Sequence, residues 1–175
     1  LDFVDRRMAT PIAVDELIRQ YAAGQLDFEP GRRFSYSNTG FVILGRVVEK
    51  VSGESFESFL KRRILQPLAL TQTVYEPTQR GSEFAQGYTS FALGPPDKAK
   101  PEAPGWIVAA GGLFSTASDL AKWDLALLDG KVLKPELYRL MTAPRKLTDG
   151  RWSDYGCGLG VRPEGEGFYV RLRPS

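Results

Sequence analysis

Two apolar stripes at helical spacing, separated by a glycine and a serine, constrain the fold of this chain more than any other feature. From about Thr39 to Val51, apolar residues recur at intervals of three and four, which predicts a helix with one buried face. Gly53 follows, where a left-handed residue ends many helices, and Ser55 can cap a second helix. The second stripe stops before Pro67, because proline disfavours helical backbone in the preceding residue. We therefore expect a packed helical hairpin.

Further helical signals lie on both sides of this hairpin. A helix is predicted over Val14 to Ala23, with Gly24 as its left-handed end. Thr116 opens another helix with a capping pattern, and Pro135 takes a first helical position ahead of residues 136–141. The side of the Thr116 helix that we expect to be buried consists of Leu120, Trp123, Leu127 and Leu128.

The pattern changes between and after these helices. Residues 66–112 carry few periodic positions and several prolines, which predicts a long irregular excursion with short strands near Thr73–Tyr75 and Tyr88–Phe91. Such a segment is either a functional lid or an ordinary surface loop, and the sequence leaves both open. Two paired strands are predicted at Tyr155–Val161 and Phe168–Leu172, which are flanked by glycine and rich in aromatic and branched residues.

Composition excludes several classes of function. Hydrophobic residues make up 42% and charged residues 25% of the 175 residues, a balance typical of an ordered globular chain. A net charge of +2 with scattered basic residues argues against a nucleic-acid partner. No run approaches the ~20 apolar residues of a membrane span, and no leader is evident. Because the sequence starts at Leu1, upstream residues are possible, and periplasmic, secreted and cytoplasmic locations all stay open.

The absence of histidine limits the chemistry of the chain, and Cys157 is its sole cysteine. The usual nitrogen and sulfur ligands of zinc and other transition metals are missing, so we expect no metal site and no cofactor. Serine and cysteine nucleophiles that rely on histidine need an imidazole that titrates near neutral pH. Any acyl transfer must therefore use another base.

The triplet Tyr36-Ser37-Asn38 is the constellation most able to carry chemistry. In an extended segment, residues two apart project on the same side, so Tyr36 and Asn38 are predicted to share a cleft. An ordinary tyrosine has a pKa of about 10, so its phenolate needs a neighbouring ammonium group to act as a base. The Asn38 carboxamide can donate and accept hydrogen bonds, which suits it to hold a substrate carbonyl. Alone, the triplet is also compatible with a packed core tyrosine.

Several segments together resemble the serine β-lactamase-like enzymes, a group that includes AmpC-type β-lactamases, DD-peptidases and related esterases. The run Pro30–Phe41 contains the Pro-Gly, Phe, Tyr-Ser-Asn and Gly-aromatic pattern of this family. The stretch from Leu44 to Thr73 is similar to its following helix pair, and Ala110–Leu120 and Tyr155–Gly160 are similar to later family segments. The resemblance extends from about residue 14 to residue 160, with the blocks in the family's order.

The resemblance implies a fold and four site residues. Tyr36 would be the base that helps to activate a serine, and Asn38 would orient the substrate and a lysine. Gly111 and Gly112 would shape the backbone on the substrate-binding side, although a tight turn before the next helix explains them equally well. The implied fold is α+β and mostly helical: the helical lobe of the β-lactamase/transpeptidase-like fold, with a long irregular loop and a short C-terminal antiparallel strand pair.

Two other family motifs are missing from their usual places. The family nucleophile lies in a Ser-x-x-Lys turn upstream of the tyrosine motif, whereas that spacing occurs here only at Ser58 to Lys61, downstream, where we interpret it as helix packing. The Lys-Thr-Gly or His-x-Gly strand that should follow Gly160 is absent as well. The sequence thus predicts one incomplete domain over residues 1–175, inactive alone, with a helical lobe at 1–150 and the start of a sheet at 151–175.

Two classes of function stay open at this point. The chain is either a fragment of a serine hydrolase that acts on a β-lactam, ester or peptide through an acyl-serine intermediate, or a non-catalytic binding module derived from that family. A fragment should expose a large apolar face, which a complementary lobe or self-association would cover. The Tyr-Ser-Asn motif does not distinguish among the three substrate classes.

Overall fold

A computed structural model of the chain describes residues 6–78, 80–90, 94–164 and 167–171. The chain forms two compact units, each assembled from three stretches of sequence. Unit 1 comprises Leu1–Gly24, Ser37–Pro67 and Thr71–Thr116, and unit 2 comprises Gln25–Tyr36, Leu68–Leu70 and Ala117–Ser175. The buried hydrophobic residues are Leu17, Val42 and Leu60 in unit 1, and Leu70, Ala126, Leu127, Leu159 and Val161 in unit 2. The single domain divided at residue 150 stays a prediction.

Unit 1 contains the predicted helical hairpin. Its helices are α1 (Val14–Ala22), α2 (Asn38–Ser52) and α3 (Phe56–Leu60), and α2 packs against both others. Gly53 ends α2 with a left-handed φ of 74°, and its N–H donates to the Glu49 carbonyl. The Ser55 hydroxyl caps α3 by accepting from the Ser58 N–H at 3.2 Å. The caps expected at both positions are thereby confirmed, and α3 continues into one π-helical turn over Lys61–Leu65.

Charged side chains tie the three helices of unit 1 together. The Arg46 guanidinium on α2 donates to both carboxylate oxygens of Asp15 on α1, each at 3.0 Å, and also pairs with Glu49. The second oxygen of Glu49 accepts from the Phe56 N–H at 2.9 Å. Because that N–H is an otherwise unsatisfied donor in the first turn of α3, Glu49 satisfies it and joins α3 to α2.

The irregular excursion of unit 1 contains two short antiparallel ribbons. They pair β1 (Val74–Tyr75) with β4 (Leu113–Phe114), and β2 (Tyr88–Thr89) with β3 (Asp97–Lys98). The two strands predicted from sequence are confirmed at β1 and β2, while residues 91–93 lie outside the described part of the chain. A 3-10 turn at Val108–Ala110 precedes β4 and packs against α2.

Unit 2 contains α4 (Ala117–Leu128), α5 (Pro135–Thr142) and the antiparallel pair β5 (Gly160–Glu164) and β6 (Gly167–Arg171). Pro135 is confirmed as the first residue of α5, where its missing N–H costs no hydrogen bond. The antiparallel pair predicted near the C-terminus is confirmed, but its first strand begins at Gly160 rather than at Tyr155, and Leu172 lies outside the described residues. Asp119, in the first turn of α4, is fully buried and accepts from Lys122 Nζ at 2.9 Å.

Three sequence expectations about helices are wrong. Leu120 and Leu128 of α4 are 50% and 69% exposed, because α4 buries Asp119, Ala126 and Leu127 instead. On α2, part of the apolar stripe is exposed; its outward members are Leu44, Val47 and Val51. Gly24 does not end α1, because Ala23 follows the helix with right-handed backbone angles. None of the helices in the described ranges has the length and hydropathy required to cross a membrane.

Candidate active site

Tyr36 lies in unit 2, at the end of the segment 25–36. The residue is 45% exposed, and its ring meets Tyr155 edge-on, with ring centroids 6.3 Å apart. Phe34, two residues earlier, packs on the same Tyr155 ring, with the two ring centroids 4.8 Å apart. Tyr155 itself forms an isolated antiparallel bridge with Gly160, the first residue of β5. Aromatic contacts thus hold the Tyr36 ring, while the residue stays partly exposed.

Asn38 lies in unit 1 as the first residue of α2, and it is exposed. Ser37 precedes it with extended backbone angles and caps the helix, because its hydroxyl accepts from the Gly40 N–H at 3.1 Å. The Ser37 hydroxyl is therefore occupied, whereas the Asn38 carboxamide has no hydrogen-bond partner within the described residues. Since Tyr36 and Asn38 belong to different units, their common cleft stays a prediction.

Gly111 and Gly112 lie in unit 1, between the 3-10 turn and β4. Gly111 is exposed and extended, with a φ of 168°, while Gly112 is buried. A Cβ atom on Gly112 would lie 2.8 Å from the Val108 carbonyl oxygen and 2.8 Å from Glu76 Cγ. The N–H groups of both glycines donate to the Val108 carbonyl, at 3.3 and 2.8 Å. These two N–H groups are thus committed to the turn, so the glycines do not offer oxyanion donors.

Glu76 is a residue of this region that the sequence reasoning missed. Its carboxylate oxygen Oε1 accepts from the Val108 N–H at 3.0 Å, and its own N–H donates to the Gly112 carbonyl at 2.7 Å. The contact joins residues that are 32 positions apart, and no local motif marks it. The neighbouring Tyr75 phenol is half-buried; burial, followed by the charges of Glu76 and nearby carboxylates, raises its pKa.

Ser58 and Lys61 lie in helical structure, as expected, but both are exposed rather than packed. The Ser58 hydroxyl accepts from the Ser55 hydroxyl at 2.9 Å, and the Ser58 N–H donates to the same Ser55 oxygen. Lys61 begins the π-helical turn after α3. The pair therefore has the Ser-x-x-Lys spacing without the surroundings of a nucleophile.

A concave region lies within unit 2, and its lining contains none of the four predicted site residues. It is an open groove between residues 27–33 and 148–151, held together by a hydrogen bond from the Thr148 N–H to the Gly31 carbonyl at 2.9 Å. Its charged lining is balanced, with equal numbers of arginines and acids: Arg32, Arg33, Arg151, Asp27, Glu29 and Asp149. Arg151 pairs with Asp149 at 2.7 Å, and Arg33 stacks on Phe28. The groove thus favours neither an anion nor a cation.

Known proteins match almost the whole length of the chain. Residues 1–175 match the family model described as Beta-lactamase. The chain is 31% identical over 161 residues to a penicillin-binding protein of Bacillus subtilis (strain 168), with 83% of this chain and 34% of that protein covered. Among solved structures, a D-stereospecific amidohydrolase from Streptomyces sp. has a TM-score of 0.77 at 28% identity, covering 92% of this chain and 48% of that one.

A further solved relative is the octameric penicillin-binding protein homologue from Pyrococcus abyssi. It has a TM-score of 0.73 at 31% identity, covering 89% of this chain and 36% of that one. The chain therefore spans less than half the length of each of these three proteins. The shared structure confirms the predicted fold class, α+β of the β-lactamase/transpeptidase type.

Proposed function

The chain belongs to the beta-lactamase family, and from that premise we propose that it is part of a serine hydrolase that cleaves its substrate through an acyl-serine intermediate. The observation that carries this proposal is the local structure at Tyr36-Ser37-Asn38. There, a partly exposed phenol precedes a capping serine and an exposed carboxamide at the first position of α2. Such an arrangement keeps the two functional groups accessible while the residue between them maintains the helix end.

We assign Tyr36 the role of general base. Its phenolate would take the proton of an attacking serine hydroxyl, provided that an ammonium group stabilises the charge. Asn38 would donate to the substrate carbonyl and accept from that ammonium group. Because the Ser-x-x-Lys spacing occurs in these residues only at Ser58 of α3, whose N–H is capped by Ser55, the nucleophile and the lysine would come from sequence outside the 175 residues. The fragment itself would then be catalytically silent.

An amide is the substrate class that we favour. The Streptomyces relative is a D-stereospecific amidohydrolase, and its similarity to this chain supports the choice. Esters and β-lactams are acylated by the same chemistry and serve as probes. Self-association and a complementary lobe stay predictions, supported by the apolar side chains that α2 exposes at Leu44, Val47 and Val51.

The test is acylation of the full-length protein by a fluorescent penicillin and by a p-nitrophenyl ester. The parent protein should form a covalent adduct, and Tyr36→Phe should slow acylation by about 100-fold or more, because it removes the base. Tyr21→Phe is the matched control, since Tyr21 is also 45% exposed. This variant should be acylated at the parent's rate. Equal rates for Tyr36→Phe and the parent would contradict the assignment.

The second arm of the test uses the 175-residue chain alone. Intact-mass spectra after incubation with either probe should contain no adduct, since the proposed nucleophile lies elsewhere. An adduct located at Ser58 would refute the interpretation of Ser58 and Lys61 as helix residues without a nucleophilic role. A full-length protein that contains an upstream Ser-x-x-Lys, yet forms no adduct with any probe, would instead indicate a binding module.

A further inference from the structure

The ring of Tyr155 contacts two side chains of the segment that leads to α2. Phe34 lies on this ring with the two planes tilted by 31°, and Tyr36 meets it edge-on, with the planes at 79°. The contacts follow the pattern of extended backbone, in which residues two apart project on the same side. Tilted and edge-on ring pairs at these distances are favourable arrangements of aromatic side chains. All three residues belong to unit 2, so one compact unit contains the whole cluster.

The backbone on both sides of the Tyr155 ring is fixed by hydrogen bonds. The hydroxyl of Ser153, a buried residue, donates to the Tyr155 carbonyl at 3.0 Å. The Gly156 N–H donates to the Leu159 carbonyl at 2.9 Å, which closes a short turn between the bridged residues Tyr155 and Gly160. Leu159 and Gly160 are both buried. Tyr155 is thus tied to the buried start of β5, and its ring projects from a fixed backbone position.

The last turn of α5 holds the residues that follow Tyr155. The Cys157 N–H donates to the Met141 carbonyl at 2.9 Å. Gly156 approaches the same carbonyl so closely that an added Cβ would overlap its oxygen, so only glycine permits this approach. Tyr155 is therefore joined to a helix as well as to a strand. A group held on such rigid elements can fix the position of a functional side chain better than a free loop can.

We propose that Tyr155 is a positioning residue, which fixes the direction of the Tyr36 phenol through the contact between the two rings. The inference rests on the proposed function, in which Tyr36 takes the proton of a serine hydroxyl. That transfer requires the two oxygens to lie within hydrogen-bond reach, about 2.6–3.2 Å. A misplacement of about 1 Å can slow a reaction roughly 100-fold. In this role Tyr155 touches no reacting atom, and Phe34 steadies it from the same segment that carries Tyr36.

The test measures acylation of the full-length protein by a fluorescent penicillin, with the dissociation constant of the noncovalent complex and the acylation rate constant determined separately. Tyr155→Leu should lower the rate constant by about tenfold or more, because the base loses its fixed direction, while the dissociation constant stays unchanged. Tyr155→Phe keeps the ring and should retain the parent's rate. Trp152→Leu is the matched control, since it removes an exposed ring of the same segment that lies against Lys146 instead. It should be acylated as fast as the parent.

A double-mutant cycle separates positioning from a general loss of structure. In the Tyr36→Phe background there is no phenol oxygen to direct, so adding Tyr155→Leu should slow acylation no further. The same loss from Tyr155→Leu in both backgrounds would overturn the proposal, because it would show an effect that does not pass through Tyr36. An unchanged acylation rate constant in the single variant Tyr155→Leu would overturn it as well.

If Tyr155→Leu folds poorly, Phe34→Leu takes its place, since it removes the second ring from Tyr155 and leaves Tyr155 itself intact. This variant should slow acylation about two- to fivefold, and only where Tyr36 is present; an unchanged rate would then reject the positioning role. The two proposals fail in different ways. Parental acylation of Tyr36→Phe defeats the proposed function and the inference with it, whereas slow acylation of Tyr36→Phe beside an unaffected Tyr155→Leu defeats the inference alone.

Discussion

Replacing Asp119 with alanine should destabilise the protein far more than an ordinary surface substitution does. The carboxylate is fully buried and accepts from Lys122 Nζ at 2.9 Å, so its removal deletes a hydrogen bond to a charged group, which contributes about 1.5–3 kcal/mol. It also deletes a negative charge from the first turn of α4, where the helix dipole contributes about 0.3–1 kcal/mol. Lys122 is 49% exposed and can be hydrated after the substitution, so it adds little further cost.

Together these terms predict that Asp119→Ala lowers the free energy of unfolding by about 2–4 kcal/mol. In a protein of this size, a loss of 3 kcal/mol lowers Tm by roughly 6–12 °C. Thermal and urea unfolding followed by circular dichroism measure the effect. Asp129→Ala is the matched control, because Asp129 pairs with Lys131 at 3.0 Å while both side chains are exposed, and its cost should stay below about 1 kcal/mol. Equal losses for the two variants would refute the reasoning from burial.

Three further outcomes follow from local geometry. Gly53→Ala should lower the free energy of unfolding by about 1 kcal/mol, because Gly53 has a left-handed φ although an added Cβ would meet no neighbour. Gly24→Ala is the control: the space there is equally open and the backbone is not left-handed, so the same urea titration should show almost no change. The raised pKa of Tyr75 means that the folded state retains a proton that the unfolded chain loses above about pH 10, so stability falls as pH rises past that point. Tyr75→Phe should flatten this decline in the free energy of unfolding, and the same decline in variant and parent would contradict the reasoning. Arg62 lowers the pKa of Glu54 through a side-chain hydrogen bond, so Arg62→Gln should raise the NMR titration midpoint of Glu54. In the parent protein, the small stabilisation by this exposed pair should disappear as pH falls through the lowered pKa.

Local signals in the sequence were sufficient for three helix ends. Gly53, Ser55 and Pro135 each act within a few residues of their own position, through a left-handed φ, a hydroxyl acceptor and a missing donor. Such effects need no knowledge of distant residues, which explains why these helix ends are predictable. The short strands β1 and β2 were located for a similar reason, since aromatic and branched residues stand out between prolines.

Burial was less predictable than helix position. An apolar stripe identifies a face that can be buried, but not whether the described residues cover it, and Leu120 and Leu128 are exposed on α4. Conversely, α4 buries Asp119, a charged residue that accepts a hydrogen bond from Lys122. In the candidate site, Tyr36 and Asn38 could be named from a contiguous motif, whereas Glu76 acts on Val108 from 32 positions away and leaves no local pattern.

The discontinuous composition of unit 2 has a consequence for the order in which the protein can fold during synthesis. Its first stretch, Gln25–Tyr36, leaves the ribosome well before Ala117–Ser175, with which it forms the Gly31–Thr148 hydrogen bond and the packing of Phe34 and Tyr36 on Tyr155. Closing such distant pairs is slow, because chain entropy is lost before the contacts compensate it. The segment that carries Tyr36 therefore cannot complete these contacts before residue 155 has been synthesised. Until then, it stays accessible to proteases and chaperones.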